Sequence, residues 1–165
     1  MIQIRRARIR DLKDITEIYN KAILETVATF DSEVKTIEEQ KQWFKLHDIK
    51  YPIIVAKLNE KIIGWASLSK WSDRCAYSDT AEVSLYVKKQ YQGQGIGTKL
   101  LEKIIKEGEK SNLHAVIARI TEGNKKSIHI HKSVGFFHIG VMKEVGYKFG
   151  ELLDVYLMEK IYSKK

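Results

Sequence analysis

Apolar and polar positions along this chain change period several times, and the clearest change lies between Thr80 and Ser111. Val83, Leu85 and Val87 alternate with Glu82, Ser84 and Tyr86, the period-two pattern of a strand. After Gln92-Gly93-Gln94-Gly95-Ile96-Gly97-Thr98 the period becomes helical: Ile96, Leu100, Leu101, Ile104 and Ile105 fall on one face, and Lys99, Glu102, Lys103, Lys106 and Glu107 on the other. Upstream, the pattern predicts a strand over residues 3–7 and a helix that starts at Asp11 or Asp14 and runs to Leu24. A second helix opens at Thr36-Ile37-Glu38-Glu39, a capping box in which hydroxyl and carboxylate each satisfy the other's end of the backbone. Strands over 52–57 and 61–69 form a hairpin about Leu58-Asn59-Glu60. Downstream come a strand over 115–120, a short helix over 124–134 stopped by Gly135, and a closing antiparallel pair over 136–145 and 152–161.

The order β-α-α-β-β-β-α-β-α-β-β predicts an α/β (α+β) fold: a mixed central sheet of about seven strands flanked by about four helices. With 165 residues, no linker and no repeat, the chain is expected to form a single domain over 1–165.

Strand, glycine loop, helix is the recipe for an anion cradle. A helix begins with backbone N–H groups that lack partners, and its dipole puts partial positive charge there. Gly93, Gly95 and Gly97 let the backbone approach a phosphate closely, and Thr98 adds a hydroxyl. Three glycines also suit a plain turn, but their place between a strand and a helix favours the cradle. The loop has no Gly-Lys-Ser/Thr ending, which excludes the NTPase phosphate loop. It also comes too late in the chain for the usual dinucleotide fingerprint.

Composition narrows the class. Hydrophobic residues make up 44%, enough for a packed core, and a single cysteine, Cys75, excludes an internal disulfide. No apolar run is long enough to span a membrane, and the N-terminus lacks the apolar stretch of a signal peptide, so a cytoplasmic protein without membrane contact is expected. The net charge of +8 permits nucleic-acid binding without requiring it. The densest basic clusters, Arg5-Arg6-Ala7-Arg8-Ile9-Arg10 and Ser163-Lys164-Lys165, read as solvated surface, and no nucleic-acid partner is expected.

The glycine loop resembles the acetyl-CoA signature of the GNAT acetyltransferase superfamily, Gln/Arg-x-x-Gly-x-Gly/Ala, filled here by Gln92, Gly95 and Gly97. The predicted element order is also the one that superfamily uses. The resemblance implies acetyl-CoA as cosubstrate, contacted by residues Gln92, Gly93, Gln94, Gly95, Ile96, Gly97 and Thr98. It further implies that the backbone at Leu85, Tyr86 and Val87 runs beside the pantetheine arm. Asn124 and Ser127 share a helix face with His131, and Asn124-Lys125-Lys126-Ser127 through Phe136 resembles the superfamily's asparagine helix, which meets the pantetheine or phosphates.

Acyl transfer to an amine needs a base, a stabilised carbonyl oxygen and a proton for the leaving thiolate. Glu82 is the candidate base; the same residue also reads as a strand-end carboxylate paired with Lys or Arg. Many relatives have a tyrosine acid where His131 stands, so His131 or solvent protonates the thiolate here. His129 reads as a packing residue, and Trp71 and His131 read equally as packing or as part of the site. Neither His129 nor His131 pairs with Cys75 in a metal-ligand spacing, and no metal is expected.

Further motifs narrow the resemblance to the phosphinothricin acetyltransferase group, which includes acetyltransferases of methionine sulfoximine and methionine sulfone. They are Ile18-Tyr19-Asn20, Thr29-Phe30, Tyr51-Pro52, Arg74-Cys75-Ala76-Tyr77, Thr80-Ala81-Glu82, Gly146-Tyr147-Lys148-Phe149-Gly150 and Asp154-Val155. This implies a homodimeric N-acetyltransferase acting on the α-amine of a small amino-acid analogue. Arg74 would then grip the substrate carboxylate bidentately, and Phe30 and Tyr77 would wall its side-chain pocket. Two alternatives remain: a GNAT enzyme for protein N-termini or polyamines, and a non-enzymatic basic module that binds CoA or nucleic acid.

Overall fold

A computed structural model describes residues 1–163. Its elements are β1 (Gln3–Arg6), α1 (Leu12–Glu25), α2 (Ile37–Lys45), β2 (Ile53–Leu58), β3 (Lys61–Lys70), β4 (Thr80–Val87), α3 (Ile96–Lys110), β5 (Ala115–Thr121), α4 (Lys125–Ser133), β6 (Phe137–Lys148) and β7 (Glu151–Ile161). The seven strands form one sheet in the order β1-β2-β3-β4-β5-β7-β6. All neighbours are antiparallel except β4 and β5, which are parallel.

Local chemistry accounts for the boundaries. Asp11 is consumed before α1 starts: it is buried, takes both arms of the Arg5 guanidinium at 2.6 and 2.9 Å, and accepts the Arg8 amide at 2.7 Å. The capping box at α2 forms as expected, with Glu39 N–H donating to Thr36 Oγ1 at 3.2 Å and Thr36 N–H donating to Glu39 Oε2 at 2.7 Å. Asn59 and Glu60, at φ 44° and 66°, make the β2–β3 turn, whose positive angles suit the right-handed twist of a two-residue hairpin.

Helices cover the sheet on both faces, so β2 and β3 read as nearly continuous apolar runs. On β2, Ile54 and Ala56 join the core under α3, while Ile53 and Val55 face the cluster formed with Ile15 and Ile18 of α1. Leu100, Leu101 and Ile104 of α3 are fully buried. At about 1.5–3 kcal/mol each, these side chains press the helix firmly against β2, β3 and β4.

The basic N-terminal cluster is partly neutralised within the fold: Arg5 is held by Asp11, and Arg6 reaches Glu107 at 3.1 Å. Of the basic tail, Lys164 and Lys165 lie outside the described residues. No helix among the described residues is long and apolar enough to cross a membrane. The strand expected to end at residue 145 runs on to Lys148, because a bulge interrupts the β6–β7 ladder and then lets it resume. The register shifts between Met142 and Gly146, with Glu144 at φ 52° and its N–H donating to Asp154 Oδ1 at 2.9 Å.

Candidate active site

The central parallel pair comes apart. β4 and β5 bridge only at Thr80–Ala115, Ala81–Val116 and Glu82–Ile117, although β4 continues to Val87 and β5 to Thr121. β5 stays registered with β7 along its whole length, so it leaves β4 and a wedge opens beyond Glu82. The resulting cleft, about 620 Å³, is walled by residues 82–86 of β4, 118–121 of β5 and one face of α4. Beyond Glu82 this edge of β4 has no strand partner among the described residues, so its backbone is available to pair with an extended ligand.

The glycine loop adjoins the open end of this wedge. Gly93 and Gly95 both have φ 76°, in the left-handed region, and Gly95 is the N-cap of α3 with no side chain capping the helix. A Cβ on Gly97 would lie 3.8 Å from Leu85 and 4.0 Å from Val87, so the first turn of α3 sits against the strand that walls the cleft. Gln92 and Gln94 tie the loop down: their Nε2 groups donate to Val87 O at 2.9 Å and Gln90 O at 3.1 Å. Ile96 is buried and leaves only its backbone for a ligand, while Thr98 is partly exposed. Uncapped N–H groups, two left-handed glycines and clear space in front of them fit a pyrophosphate, and the unpaired β4 edge fits a pantetheine arm.

Glu82 stands where the β4–β5 ladder ends. Its carboxylate takes a two-point fork from Arg119, Nε to Oε1 at 2.6 Å and Nη2 to Oε2 at 2.7 Å. The guanidinium carbon of Arg119 lies 5.8 Å from the centre of the Trp71 ring, within cation–π range. Glu82 is thus paired with an arginine, as its alternative reading expected; that the partner is Arg119, on the cleft wall, is what sequence reasoning missed. The available signal was a single basic residue interrupting the apolar strand Ala115-Val116-Ile117-Ala118-Arg119-Ile120.

Across the ladder from Glu82 is Ser69, also on the cleft wall. His47 Nδ1 lies 2.8 Å from Trp43 O, a carbonyl that can only accept, so Nδ1 carries the hydrogen. Its Nε2 is 3.0 Å from Ser69 Oγ, and with burial holding the His47 pKa below its ordinary value, the serine hydroxyl must donate to that nitrogen. Ser69 therefore offers acceptor lone pairs next to Glu82.

His131 is buried at 3% exposure, edge-on to Phe136, with Nδ1 donating to Ser127 O at 2.7 Å. Burial lowers its pKa, with the hydrogen bond to Ser127 opposing the shift, so the ring is neutral and Nε2 is an acceptor. Asn124 caps α4 by accepting the Ser127 amide at 3.1 Å, which leaves the second lone pair of Oδ1 and both Nδ2 donors for a ligand. Tyr86 turns into a cluster with Trp65 and Tyr19, at 4.9 and 5.2 Å between ring centres, where burial raises its phenol pKa.

Phe30 lies on the cleft wall, on a segment pinned from several sides. Lys148 Nζ donates to Thr29 O at 2.7 Å, Thr121 Oγ1 to Val27 O at 2.6 Å, and Tyr19 Oη to Asp31 Oδ2 at 2.6 Å. The β6 bulge brings Met142 and Val145 to the same wall. Arg74 and Tyr77 do not join it. Both are exposed on the loop between β3 and β4, because that loop continues past the ladder's end into solvent. Among the described residues no group of three or more His, Cys, Asp or Glu side chains converges as a metal site would require, and Cys75 is exposed.

The family model for the acetyltransferase (GNAT) domain matches residues 4–157. The chain belongs to the GNAT acetyltransferases. This N-acetyltransferase is 36% identical over 159 residues to an L-amino acid N-acyltransferase of Escherichia coli, covering 96% of this chain and 92% of the relative. It is also 36% identical over 157 residues to the L-methionine sulfoximine/L-methionine sulfone acetyltransferase of Salmonella typhimurium, covering 94% and 92%. Its fold superposes with a TM-score of 0.93 on a phosphinothricin acetyltransferase from Sinorhizobium meliloti solved in complex with acetyl-CoA, at 32% identity, covering 97% of this chain and 88% of that one. The likeness to the phosphinothricin acetyltransferase group read from the local motifs therefore extends over nearly the whole chain.

Proposed function

We propose that this GNAT acetyltransferase moves the acetyl group of acetyl-CoA onto the α-amine of a small amino-acid analogue of the phosphinothricin, methionine sulfoximine or methionine sulfone type, with Glu82 as general base. One observation carries the reading: the Glu82 carboxylate sits at the point where β4 and β5 separate, at the head of the cleft that the unpaired edge of β4 borders. The relatives named above support the substrate class.

When bound, acetyl-CoA supplies the activated thioester. The Gly93 to Thr98 backbone takes its pyrophosphate, and the amides near Leu85, Tyr86 and Val87 take the pantetheine arm, one of them polarising the carbonyl. Asn124 and Ser127 line the cleft at α4 and would border the arm there. Glu82 takes the proton from the substrate ammonium, directly or through a water, and Ser69 offers a second acceptor that fixes the amine. His131 enters as a neutral imidazole, so solvent supplies the thiolate proton unless that ring has first been charged. Phe30 walls the side-chain pocket, while Arg74 and Tyr77 stay exposed on the β3–β4 loop, outside the cleft lining.

The expected homodimer would form on the β6–β7 hairpin, where Phe137, Ile139, Tyr147, Phe149 and Leu152 are all exposed. The function is tested by thiol release from acetyl-CoA with a panel of amines. Methionine sulfone, methionine sulfoximine and phosphinothricin should lead that panel, and Glu82→Gln should lower kcat about 100- to 10,000-fold with acetyl-CoA affinity nearly intact. Full turnover in Glu82→Gln would remove Glu82 from the chemistry.

A further inference from the structure

Arg119 is the only cationic side chain on the cleft wall among the described residues. It is the one exposed residue of β5, with 52% of its side chain accessible against 21% for Glu82. The fork to Glu82 uses Nε and one hydrogen of Nη2. Three of the five guanidinium N–H donors are left, on the edge away from Glu82, with no partner among the described residues. The guanidinium carbon lies over the Trp71 ring at 5.8 Å, a cation–π contact that favours this placement of the side chain.

We propose that Arg119 is the specificity-determining residue of the amine site: its free edge binds the substrate's α-carboxylate and sets the α-amine against Glu82. The inference rests on the reading of Glu82 as base, and charge balance carries it. Before transfer, the site holds the Glu82 carboxylate, the guanidinium and a zwitterion. In the proton step an N–H bond of the ammonium breaks and an O–H bond forms on Glu82, leaving a neutral amine whose lone pair attacks the thioester carbonyl. Glu82 is then uncharged and no longer serves Arg119 as a counterion. With the substrate carboxylate on its free edge, the guanidinium faces two anions before the step and keeps one after Glu82 is protonated. An amine without a carboxylate leaves Arg119 unpaired once Glu82 is protonated. Hydrogen bonds to charged groups contribute about 1.5–3 kcal/mol, so the site should favour an amino acid over its decarboxylated amine by about 10- to 150-fold.

The test compares methionine sulfone with its decarboxylated amine by thiol release, in wild type, Arg119→Gln, Arg119→Lys and Arg74→Gln. Acetyl-CoA affinity by calorimetry and a thermal melt establish that each variant is folded. Wild type should show the preference, Arg119→Gln should bring the ratio of kcat/KM to within about threefold of unity, mainly by raising KM for the amino acid, and Arg119→Lys should keep part of it. An unchanged ratio in Arg119→Gln, an equal loss on both substrates, or a collapse in Arg74→Gln instead would overturn the proposal. Failure of the wild type to acetylate any amine strikes the proposed function itself, a different outcome from any of these.

Discussion

Replacing Gly95 by alanine separates backbone strain from the anion cradle. Gly95 holds φ 76°, and a Cβ built there meets nothing within 4 Å, so the substitution causes no clash inside the protein. The strain of a left-handed alanine is about 1–2 kcal/mol. For a chain of this size that corresponds to a fall in Tm of about 2–8 °C. The open space in front of Gly95 is also where a pyrophosphate would meet the N–H groups of α3, and a methyl there holds the anion off. Loss of even one hydrogen bond to a charged group, about 1.5–3 kcal/mol, weakens acetyl-CoA binding about 10- to 150-fold. Gly150, at φ 82° with equally clear surroundings, sits in the turn between β6 and β7 and is a matched control. Gly150→Ala should cost similar stability and leave acetyl-CoA affinity unaltered. Calorimetric titration of acetyl-CoA into both variants, alongside melting curves, reads the two effects separately. Equal affinities in Gly95→Ala and Gly150→Ala would show that the loop is not the cradle.

Two further outcomes follow from other parts of the site. A Cβ on Gly146 would fall inside the Phe30 ring, so Gly146→Ala should push Phe30 off the cleft wall and raise the amine's KM several-fold without changing acetyl-CoA affinity; initial rates against each substrate check this. Burial lowers the pKa of His131, so as pH falls below about 6.5 the unfolded chain takes up a proton that the fold resists. The stability this neutral ring allows is complete above that pH and is lost as pH falls through the folded-state pKa. His131→Gln should therefore lose less Tm than wild type between pH 7 and pH 5, with His47, lowered for the same reason, accounting for much of the slope that remains.

The sequence alone determined those features whose physics is local. The period change after Val87 placed β4 and α3, because a strand repeats every two residues and a helix every 3.6. Thr36 and Glu39 announced the start of α2, since a capping box involves only residues within one turn. The glycines of the loop were legible for the same reason: a left-handed backbone angle is a requirement on the residue that adopts it. What the tertiary structure decided is everything that depends on where two distant segments meet. Nothing near Glu82 in the chain indicates that its partner is Arg119, thirty-seven positions away, because the contact exists only where β5 has begun to leave β4. The protonation of His131 and the direction of the Ser69 hydroxyl likewise depend on burial and on carbonyls supplied by the helix geometry. Arg74 and Arg119 look alike as letters, yet one guanidinium is in solvent and the other faces the cleft, because a strand's alternation and a loop's exit point are fixed only once the sheet is assembled.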